Sequence, residues 1–237
     1  MIDTHCHLLP GLDDGPRNEA DALELARSLA AQGVRRVLCT PHFSAMFPTV
    51  HSESVERLRA FQPFLEAAGV RIETSVAAEI GPAAAVSTPI EQLLERSIDG
   101  RWVIVEALAD SSPASLAAIF ERLRDAGVGT VFGHPERCRA VQRKPGILDP
   151  LREDGAMLQL VAPSLVGRWG PDTEATAWRL VDTGRADLLG SDAHGAKRRR
   201  PHLQAACLLI EERLGAAVVE ELTEIKPRLV LDGVGPE

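Results

Sequence analysis

Histidines and carboxylates that can bind metal ions recur along the chain, each at or just after a short apolar run. His5 and His7 form the first pair, and because residues i and i+2 of a strand point to one face, both imidazoles could reach one ion. The further candidates are His42, Glu79, Glu106, His134, Asp192 and His194. Each residue taken alone could be an ordinary hydrogen-bonded or salt-bridged side chain. Five of the seven histidines share this placement, whereas unrelated histidines would scatter, so the combination predicts a metal site.

The ligand types indicate which ions could bind and what they could do. Imidazole and carboxylate ligands without thiolate suit manganese, zinc or iron rather than calcium. One catalytic ion takes three or four protein ligands, and the candidate set exceeds that number, so we predict two or three divalent ions. Ions about 3.5–4 Å apart can clamp an in-line displacement at phosphorus and generate a nucleophile from water at neutral pH. The predicted chemistry is therefore phosphoester hydrolysis.

Short apolar runs alternate with helical periodicity, and these elements must position the candidate ligands. The predicted strands are residues 1–7, 34–39, 71–77, 102–105, 128–132, 157–161 and 186–189. Apolar residues at helical spacing, such as Ala22, Leu25 and Leu29, predict helices between them, with Asn18 as an N-cap. This alternation predicts parallel β/α units in one α/β domain, residues 1–237, closed as a barrel of the TIM type.

The barrel prediction explains why the candidates follow the strands, because the C-terminal ends of barrel strands converge on one mouth. An open doubly wound sheet is the alternative fold. It would normally carry a glycine-rich turn after the first strand, and the sequence has none there.

Composition limits the other function classes. The net charge of -8 argues against a nucleic-acid surface, and no apolar run approaches the roughly 18 residues needed for membrane insertion. The N-terminus has no signal-like segment, so a cytoplasmic location is expected. The four cysteines form no C-x-x-C pair and are expected to be free packing thiols. We therefore expect metal-based rather than thiol-based chemistry.

Several motifs, in this order, resemble those of the PHP (polymerase and histidinol phosphatase) superfamily. They are His5-Cys6-His7, Asp13-Asp14-Gly15, Thr40-Pro41-His42, Glu79, Gly133-His134-Pro135-Glu136-Arg137 and Ser191-Asp192-Ala193-His194. The opening segment, from Met1 to Pro16, is also similar to the bacterial manganese-dependent protein-tyrosine phosphatases of capsule and exopolysaccharide loci. The resemblance extends from the N-terminus to about Arg200.

This resemblance implies a distorted (β/α)7 TIM-like barrel of the PHP fold with two or three divalent ions, manganese foremost and iron or zinc as alternatives. It adds Asp14 to the ligands. It also implies that Arg137 and Arg200 bind phosphate.

The function implied by the resemblance is hydrolysis of phosphotyrosine on the tail of a bacterial tyrosine autokinase that controls capsule or exopolysaccharide synthesis. A phenolate leaving group, with a pKa near 10, needs less protonation than an alkoxide, so a dedicated general acid is dispensable. Little dependence on the sequence that flanks the phosphotyrosine is expected. A small-molecule phosphomonoesterase, such as a histidinol-phosphatase-like hydrolase, is the alternative enzyme. A non-catalytic metal-binding module is a third hypothesis, which the intact ligand set disfavours.

Overall fold

The computed structural model describes residues 1–233, so residues 234–237 of the predicted domain lie outside the described residues. The strands are β1 (Ile2–Cys6), β2 (Arg36–Cys39), β3 (His42–Phe43), β4 (Glu73–Val76), β5 (Glu79–Ile80), β6 (Trp102–Glu106), β7 (Gly129–Gly133), β8 (Met157–Val161) and β9 (Leu188–Gly190). All pairings between these strands are parallel, in the orders β1-β2-β4 and β3-β5-β6-β7-β8-β9.

The two sheets form one closed barrel with seven strand positions, because β2 continues into β3 and β4 into β5 after short gaps. Pro41, which has no N–H to donate, lies in the gap between β2 and β3. The gap between β4 and β5 faces it, and the N–H of Glu79 donates to the Pro41 carbonyl at 3.1 Å, so the pairing continues across both gaps. A parallel bridge between Cys6 and Ala193 joins β1 to the chain after β9. The predicted distorted (β/α)7 TIM-like barrel is confirmed.

Helices follow or interrupt the strands around the barrel. They are α1 (Glu19–Ala31), α2 (His51–Ala67), α3 (Pro82–Ser87), α4 (Ile90–Glu95), α5 (Pro113–Asp125), α6 (Arg139–Arg143), α7 (Asp149–Glu153), α8 (Ala162–Leu165), α9 (Pro171–Asp182), α10 (Leu203–Leu214), α11 (Ala216–Glu220) and α12 (Lys226–Leu231). Two 3-10 turns (Pro135–Arg137 and Pro145–Leu148) and one π turn (Glu221–Ile225) complete them. No helix within residues 1–233 combines the length and apolar character needed to cross a membrane.

Helix α1 shows how local sequence and packing agree. The Asn18 side chain accepts a hydrogen bond from the Asp21 N–H at 2.9 Å, as predicted for its N-cap. Leu25 and Leu29 are fully buried in the layer between the strands and the helices, and each such burial contributes about 1.5–3 kcal/mol. Gly33 then takes a φ of 86° just after the helix, a conformation that favours glycine.

A second apolar cluster fills the barrel end where the strands begin. Val230 and Leu231 of α12 join Ile2, Trp102 and Leu188 in this cluster. The C-terminal helix therefore closes the barrel at the end opposite to the predicted mouth.

Candidate metal centre

The C-terminal ends of the strands bring all nine predicted ligands together. His5 belongs to β1, His42 to β3, Glu79 to β5 and Glu106 to β6, while the others lie in the loops that follow β1, β7 and β9. Their ligand atoms form overlapping groups in which all atoms lie within 4.8 Å of one another. These groups are His7-Asp14-His42-His194, His5-Glu79-His134, His5-His7-Asp192 and His42-Glu79-Glu106.

Glu79 is the most shared member of the cluster. Its Oε2 lies 3.4 Å from His5 Nε2, 3.3 Å from His7 Nε2 and 3.0 Å from His42 Nδ1. Its Oε1 lies 2.7 Å from His134 Nε2. A carboxylate with four imidazoles around its two oxygens can bridge two ions, which suits a centre with more than one metal.

Asp192 and Asp14 complete the cluster on the other side. Asp192 Oδ1 lies 3.8 Å from His5 Nε2 and 3.6 Å from His7 Nε2. Asp14 Oδ1 lies 3.1 Å from His194 Nε2 and 3.4 Å from His42 Nε2. Asp14, which the resemblance alone had added, therefore joins the same cluster.

Backbone strain is concentrated around this cluster. Asp99, His134, Asp192 and Arg199 are the non-glycine residues with positive φ within residues 1–233. Their φ values at the cluster are 38° for His134, 48° for Asp192 and 47° for Arg199. Such conformations cost about 1–3 kcal/mol each and persist only where the surroundings enforce them. Here they turn two predicted ligands and one arginine into the mouth.

A glutamine inside β8 sets the tautomer of His5. The Gln159 amide NH2 donates to the Thr4 carbonyl at 3.0 Å and to Thr4 Oγ1 at 2.9 Å, so its Oε1 faces His5 Nδ1 at 2.7 Å. His5 Nδ1–H must then be the donor, which leaves the Nε2 lone pair of the neutral ring directed at the cluster. Histidines that bind metals characteristically donate their other ring N–H in this way.

Asp13 sets the tautomer of His7 through a hydrogen bond to its carboxylate. His7 Nδ1–H donates to Asp13 Oδ2 at 2.7 Å, and the same oxygen accepts the His42 backbone N–H at 2.9 Å. Gly15 is required in this loop, because an added Cβ would lie 2.6 Å from the His7 carbonyl. The Asp13-Asp14-Gly15 motif thus holds one imidazole and presents one predicted ligand.

Several buried ligand atoms of the cluster have no hydrogen-bond partner among the described residues. They are His5 Nε2, His7 Nε2, Glu79 Oε2 and His194 Nε2, which lie 3.0–3.4 Å from other atoms of the cluster but without hydrogen-bond geometry. Buried polar atoms without a partner are rare in native proteins, and each costs about 1–3 kcal/mol. Their type, burial and shared direction fit divalent metal ions.

The carboxylates create a strongly negative field in the cluster. Burial lowers the pKa of His42, but hydrogen bonds to Asp14 and Glu79 outweigh burial and raise this pKa to about 11. Burial also lowers the pKa of His7, but Asp13 and then Glu79 outweigh it and raise this pKa to about 9. Protons and divalent ions compete for the same nitrogen lone pairs, so this field favours divalent cations as well.

Arginines line the edge of the cluster, and one of them, Arg199, was not singled out from the sequence. Arg137 Nη2 donates to Asp192 Oδ2 at 2.6 Å, as a predicted site residue. Arg199 donates to Asp14 Oδ2 at 3.0 Å and to both Asp192 oxygens at 3.2 Å. Arg200, the predicted partner of Arg137, is exposed and lines an adjacent cavity. Trp169 stacks on both inner arginines, with its ring centroid 4.3 Å from Arg137 Cζ and 5.8 Å from Arg199 Cζ.

Sequence reasoning missed several residues of this site. Gln159 could have been suspected as a polar residue inside an otherwise apolar strand. Asp3 gives a similar signal in β1: it is fully buried and accepts the backbone N–H of Ser191 at 2.8 Å, which ties β1 to the loop after β9. Burial outweighs the bonds from Ser191 and raises the pKa of Asp3 to about 6. The role of Trp169 had no signal in the sequence, because its contacts depend on the loop after α8.

The cysteines do not provide a nucleophile. Arg213 does follow Cys207 at the Cys-x5-Arg spacing of thiol phosphatases, although none of the four cysteines was expected to act as one. Both residues lie on α10, Arg213 pairs with Asp182, and burial raises the pKa of Cys207 to about 11. All four cysteines are buried free thiols, as expected.

The barrel and the buried cluster at its mouth define a protein built to bind divalent metal ions. The family follows from the sequence as a whole, because the pattern of the family described as capsular polysaccharide synthesis, CpsB/CapC, matches residues 1–232. The chain therefore belongs to the CpsB/CapC family.

Individual relatives agree with this assignment. The chain is 31% identical over 229 residues to the tyrosine-protein phosphatase YwqE of Bacillus subtilis, with 94% of this chain and 89% of YwqE covered. A solved structure, described as YwqE from B. subtilis and CpsB from Streptococcus pneumoniae, unique metal-dependent tyrosine phosphatases, superposes with a TM-score of 0.87. That match has 30% identity and covers 98% of this chain and 94% of the other. A histidinol phosphate phosphatase of Lactococcus lactis shares the fold alone, with a TM-score of 0.58 and 16% identity over 91% of this chain and 95% of the other.

Proposed function

We propose that this protein is a metal-dependent protein-tyrosine phosphatase. The observation that carries the proposal is the set of buried imidazole and carboxylate atoms that converge without hydrogen bonds between them, beside two arginines whose guanidinium groups reach the same aspartate. Cations at this position favour a phosphate ester, whose charge grows on the equatorial oxygens during transfer. The relatives described as tyrosine-protein phosphatases narrow the ester to phosphotyrosine.

Two or three divalent ions are proposed to bind here, with manganese foremost and iron or zinc as alternatives. The proposed ligands are His5, His7, Asp14, His42, Glu79, Glu106, His134, Asp192 and His194. When bound, such ions stabilise the charge of the phosphoryl group and generate a nucleophile from water at neutral pH.

The remaining residues bind and orient. Gln159 and Asp13 hold His5 and His7 in the tautomers that turn Nε2 into the cluster. Arg137 and Arg199 present guanidinium N–H groups at the mouth, where they can bind phosphoryl oxygens, and Asp192 holds both in place. No protonated acid is needed for the leaving group, because phenolate departs more readily than an alkoxide.

The proposed substrate is the phosphotyrosine-bearing tail of a bacterial tyrosine autokinase that controls capsule or exopolysaccharide synthesis, and the proposed location is the cytoplasm. The family description supports the link to capsule synthesis. A flexible tail can bring a phosphotyrosine to a buried cluster that a folded surface could not enter.

A comparison of substrates tests the proposal. Purified protein supplied with manganese is assayed for kcat/KM on a phosphotyrosine peptide, the matching phosphoserine peptide and histidinol phosphate. We expect the phosphotyrosine peptide to be hydrolysed fastest, and EDTA to abolish turnover. A preference for histidinol phosphate of about a hundredfold, or about 2.7 kcal/mol, would instead identify a small-molecule phosphomonoesterase.

A further inference from the structure

A cavity beside the metal centre has a charge opposite to that of the chain. Its volume is about 350 Å³, and its basic lining consists of Arg168, Lys197, Arg198, Arg199, Arg200 and His202. The chain as a whole carries a net charge of -8, so this concentration of cations is a local feature. Clefts lined by one sign of charge raise the local concentration of oppositely charged ligands.

Three of the five arginine and lysine side chains of this cavity are unpaired within the described residues, whereas Lys197 pairs with Glu24 at 3.2 Å and Arg199 pairs with the aspartates of the metal centre. Within residues 1–233, the side chains of Arg168, Arg198 and Arg200 form no ion pair or hydrogen bond. The one carboxylate in the lining, Asp192, already accepts bonds from Arg137 and Arg199. Arginines elsewhere on the surface, such as Arg185 and Arg213, pair with aspartates. Like charges left together repel, so an anion would relieve this repulsion.

The cavity is continuous with the reaction centre through shared residues. Asp192 belongs both to the cavity lining and to a metal-ligand group. Trp169, which is 41% exposed, also lines the cavity and stacks on the inner arginines. Burial, then Arg200 and Arg168, lower the pKa of His202, which also lines the cavity. A ligand group bound in this cavity would therefore lie next to a ligand group bound at the metal centre.

We propose that this cavity is a second anion subsite, which binds an acidic side chain or a second phosphoryl group of the same polypeptide whose phosphotyrosine occupies the metal centre. The proposal rests on the proposed phosphatase function and deepens it. It replaces the expectation that flanking sequence matters little. Arg168, Arg198 and Arg200 supply the charge, and Trp169 forms the wall shared with the reaction centre.

Peptides of equal length separate the two possible sources of the anion. Each carries one phosphotyrosine; the first has neutral flanks, the second has flanking glutamates and the third has a second phosphotyrosine. For the metal-loaded wild type, we expect kcat/KM for one or both anionic peptides to exceed the neutral value by about tenfold, or about 1.4 kcal/mol. The peptide that gains identifies the source. Equal values for all three would overturn the subsite.

A pair of arginine variants locates the effect. In Arg168→Gln/Arg198→Gln, the ratio of anionic to neutral kcat/KM should fall to within about twofold, because rim charges act mainly through the approach of the charged ligand. The matched control is Arg139→Gln/Arg143→Gln, which removes two arginines that are unpaired within residues 1–233 and that line a cavity without any residue of the metal cluster. This control should keep the wild-type ratio. A loss in the control and none in the test variant would refute the location.

A binding measurement keeps the subsite separable from the phosphatase proposal. Fluorescence anisotropy of a labelled glutamate-rich peptide without phosphotyrosine reports binding to the metal-loaded protein without any turnover. We expect Arg168→Gln/Arg198→Gln to bind about fivefold more weakly than the wild type and the control variant, and more so at low salt. Should no phosphotyrosine peptide be hydrolysed, the proposed function fails, and this binding difference alone decides the subsite. Equal binding by all three proteins would refute it.

Discussion

Two buried aspartates at the two ends of β9 have opposite surroundings. Asp187 precedes the strand, and its carboxylate accepts bonds from Lys226 at 2.8 Å, from the Leu158 N–H at 2.9 Å and from Arg152. Asp192 follows the strand and also binds arginine. The imidazoles near its Oδ1 are those of His5 and His7, and their Nε2 atoms form no hydrogen bond.

This difference distinguishes a charge buried for structure, Asp187, from a charge buried for a functional site, Asp192. At the closed end, both carboxylate oxygens of Asp187 accept hydrogen bonds from other residues of the chain, so the buried charge is paired without any ligand. At the mouth, the barrel holds the ligand atoms together but does not supply hydrogen bonds to them. The folded protein can support this arrangement because the closed end and the helical layer supply its stability, as the concentration of apolar burial there indicates.

The largest expected effect is at the mouth. Replacing Glu79 by Gln removes the carboxylate that faces four imidazoles and should lower kcat/KM by about a thousandfold or more, with loss of bound metal. Elemental analysis and steady-state kinetics measure both. The control is Glu73→Gln at the start of β4, where the exposed side chain pairs with Arg36 at 3.2 Å and should affect neither. Full activity with one tightly held ion in the wild type would contradict a shared cluster.

Arg137→Ala tests charge stabilisation at the mouth apart from metal binding. Kinetics should show a loss of about ten- to a thousandfold in kcat/KM, because one well-placed donor contributes a few kcal/mol to a charged transition state. The metal content should stay at the wild-type level, since Arg137 supplies no ligand atom. Unchanged kinetics would remove Arg137 from the site.

The Arg199 and Arg200 variants resolve which of the two neighbouring arginines acts at the centre. Arg199→Gln should lower kcat/KM for a phosphotyrosine peptide with neutral flanks by about ten- to a hundredfold, because Arg199 contacts Asp14 and Asp192. Arg200→Gln should lower it less. The reverse order would favour Arg200, the arginine assigned from the sequence, as the one that binds the phosphoryl group.

Asp187→Asn tests the closed end and should leave kcat/KM of the folded protein within about threefold. The unfolding free energy of the metal-free protein should fall by about 2 kcal/mol, because Lys226 and Arg152 lose a buried partner. Urea denaturation measures this loss. If activity fell as steeply as in the Glu79 variant while stability held, the distinction between the two ends would be wrong.

The smallest expected effect concerns the cysteine with the thiol-phosphatase spacing. Cys207→Ser should leave kcat/KM within about twofold, because a buried thiol with a raised pKa is not a nucleophile. EDTA should still abolish turnover of this variant. Loss of activity in Cys207→Ser together with resistance of the wild type to EDTA would replace the metal mechanism with a thiol one.

Periodicity predicted the fold well because strands buried on both faces leave continuous apolar runs. Strand β8 has the predicted bounds, and the bounds of the others shift by only a few residues. Helix α2 was not predicted, because it carries Pro63 and buries only Ser54, Phe61 and Leu65. The gaps that create β3 and β5 were also missed, since they depend on how neighbouring strands pair.

The sequence pattern by itself determined the barrel and eight of the nine candidate ligands, because in parallel β/α units the strand ends meet whatever the loops do. The ninth, Asp14, came from the resemblance to the PHP superfamily. The tertiary structure decided which atoms act together. Gln159 reaches His5 across 154 residues of sequence, and no local pattern encodes that contact. The contacts of Arg199 with Asp14 and Asp192 depend on a left-handed backbone at Arg199, because in such a loop a shift of one residue redirects the side chain. Such positions are set by packing around the whole mouth, which only the folded chain specifies.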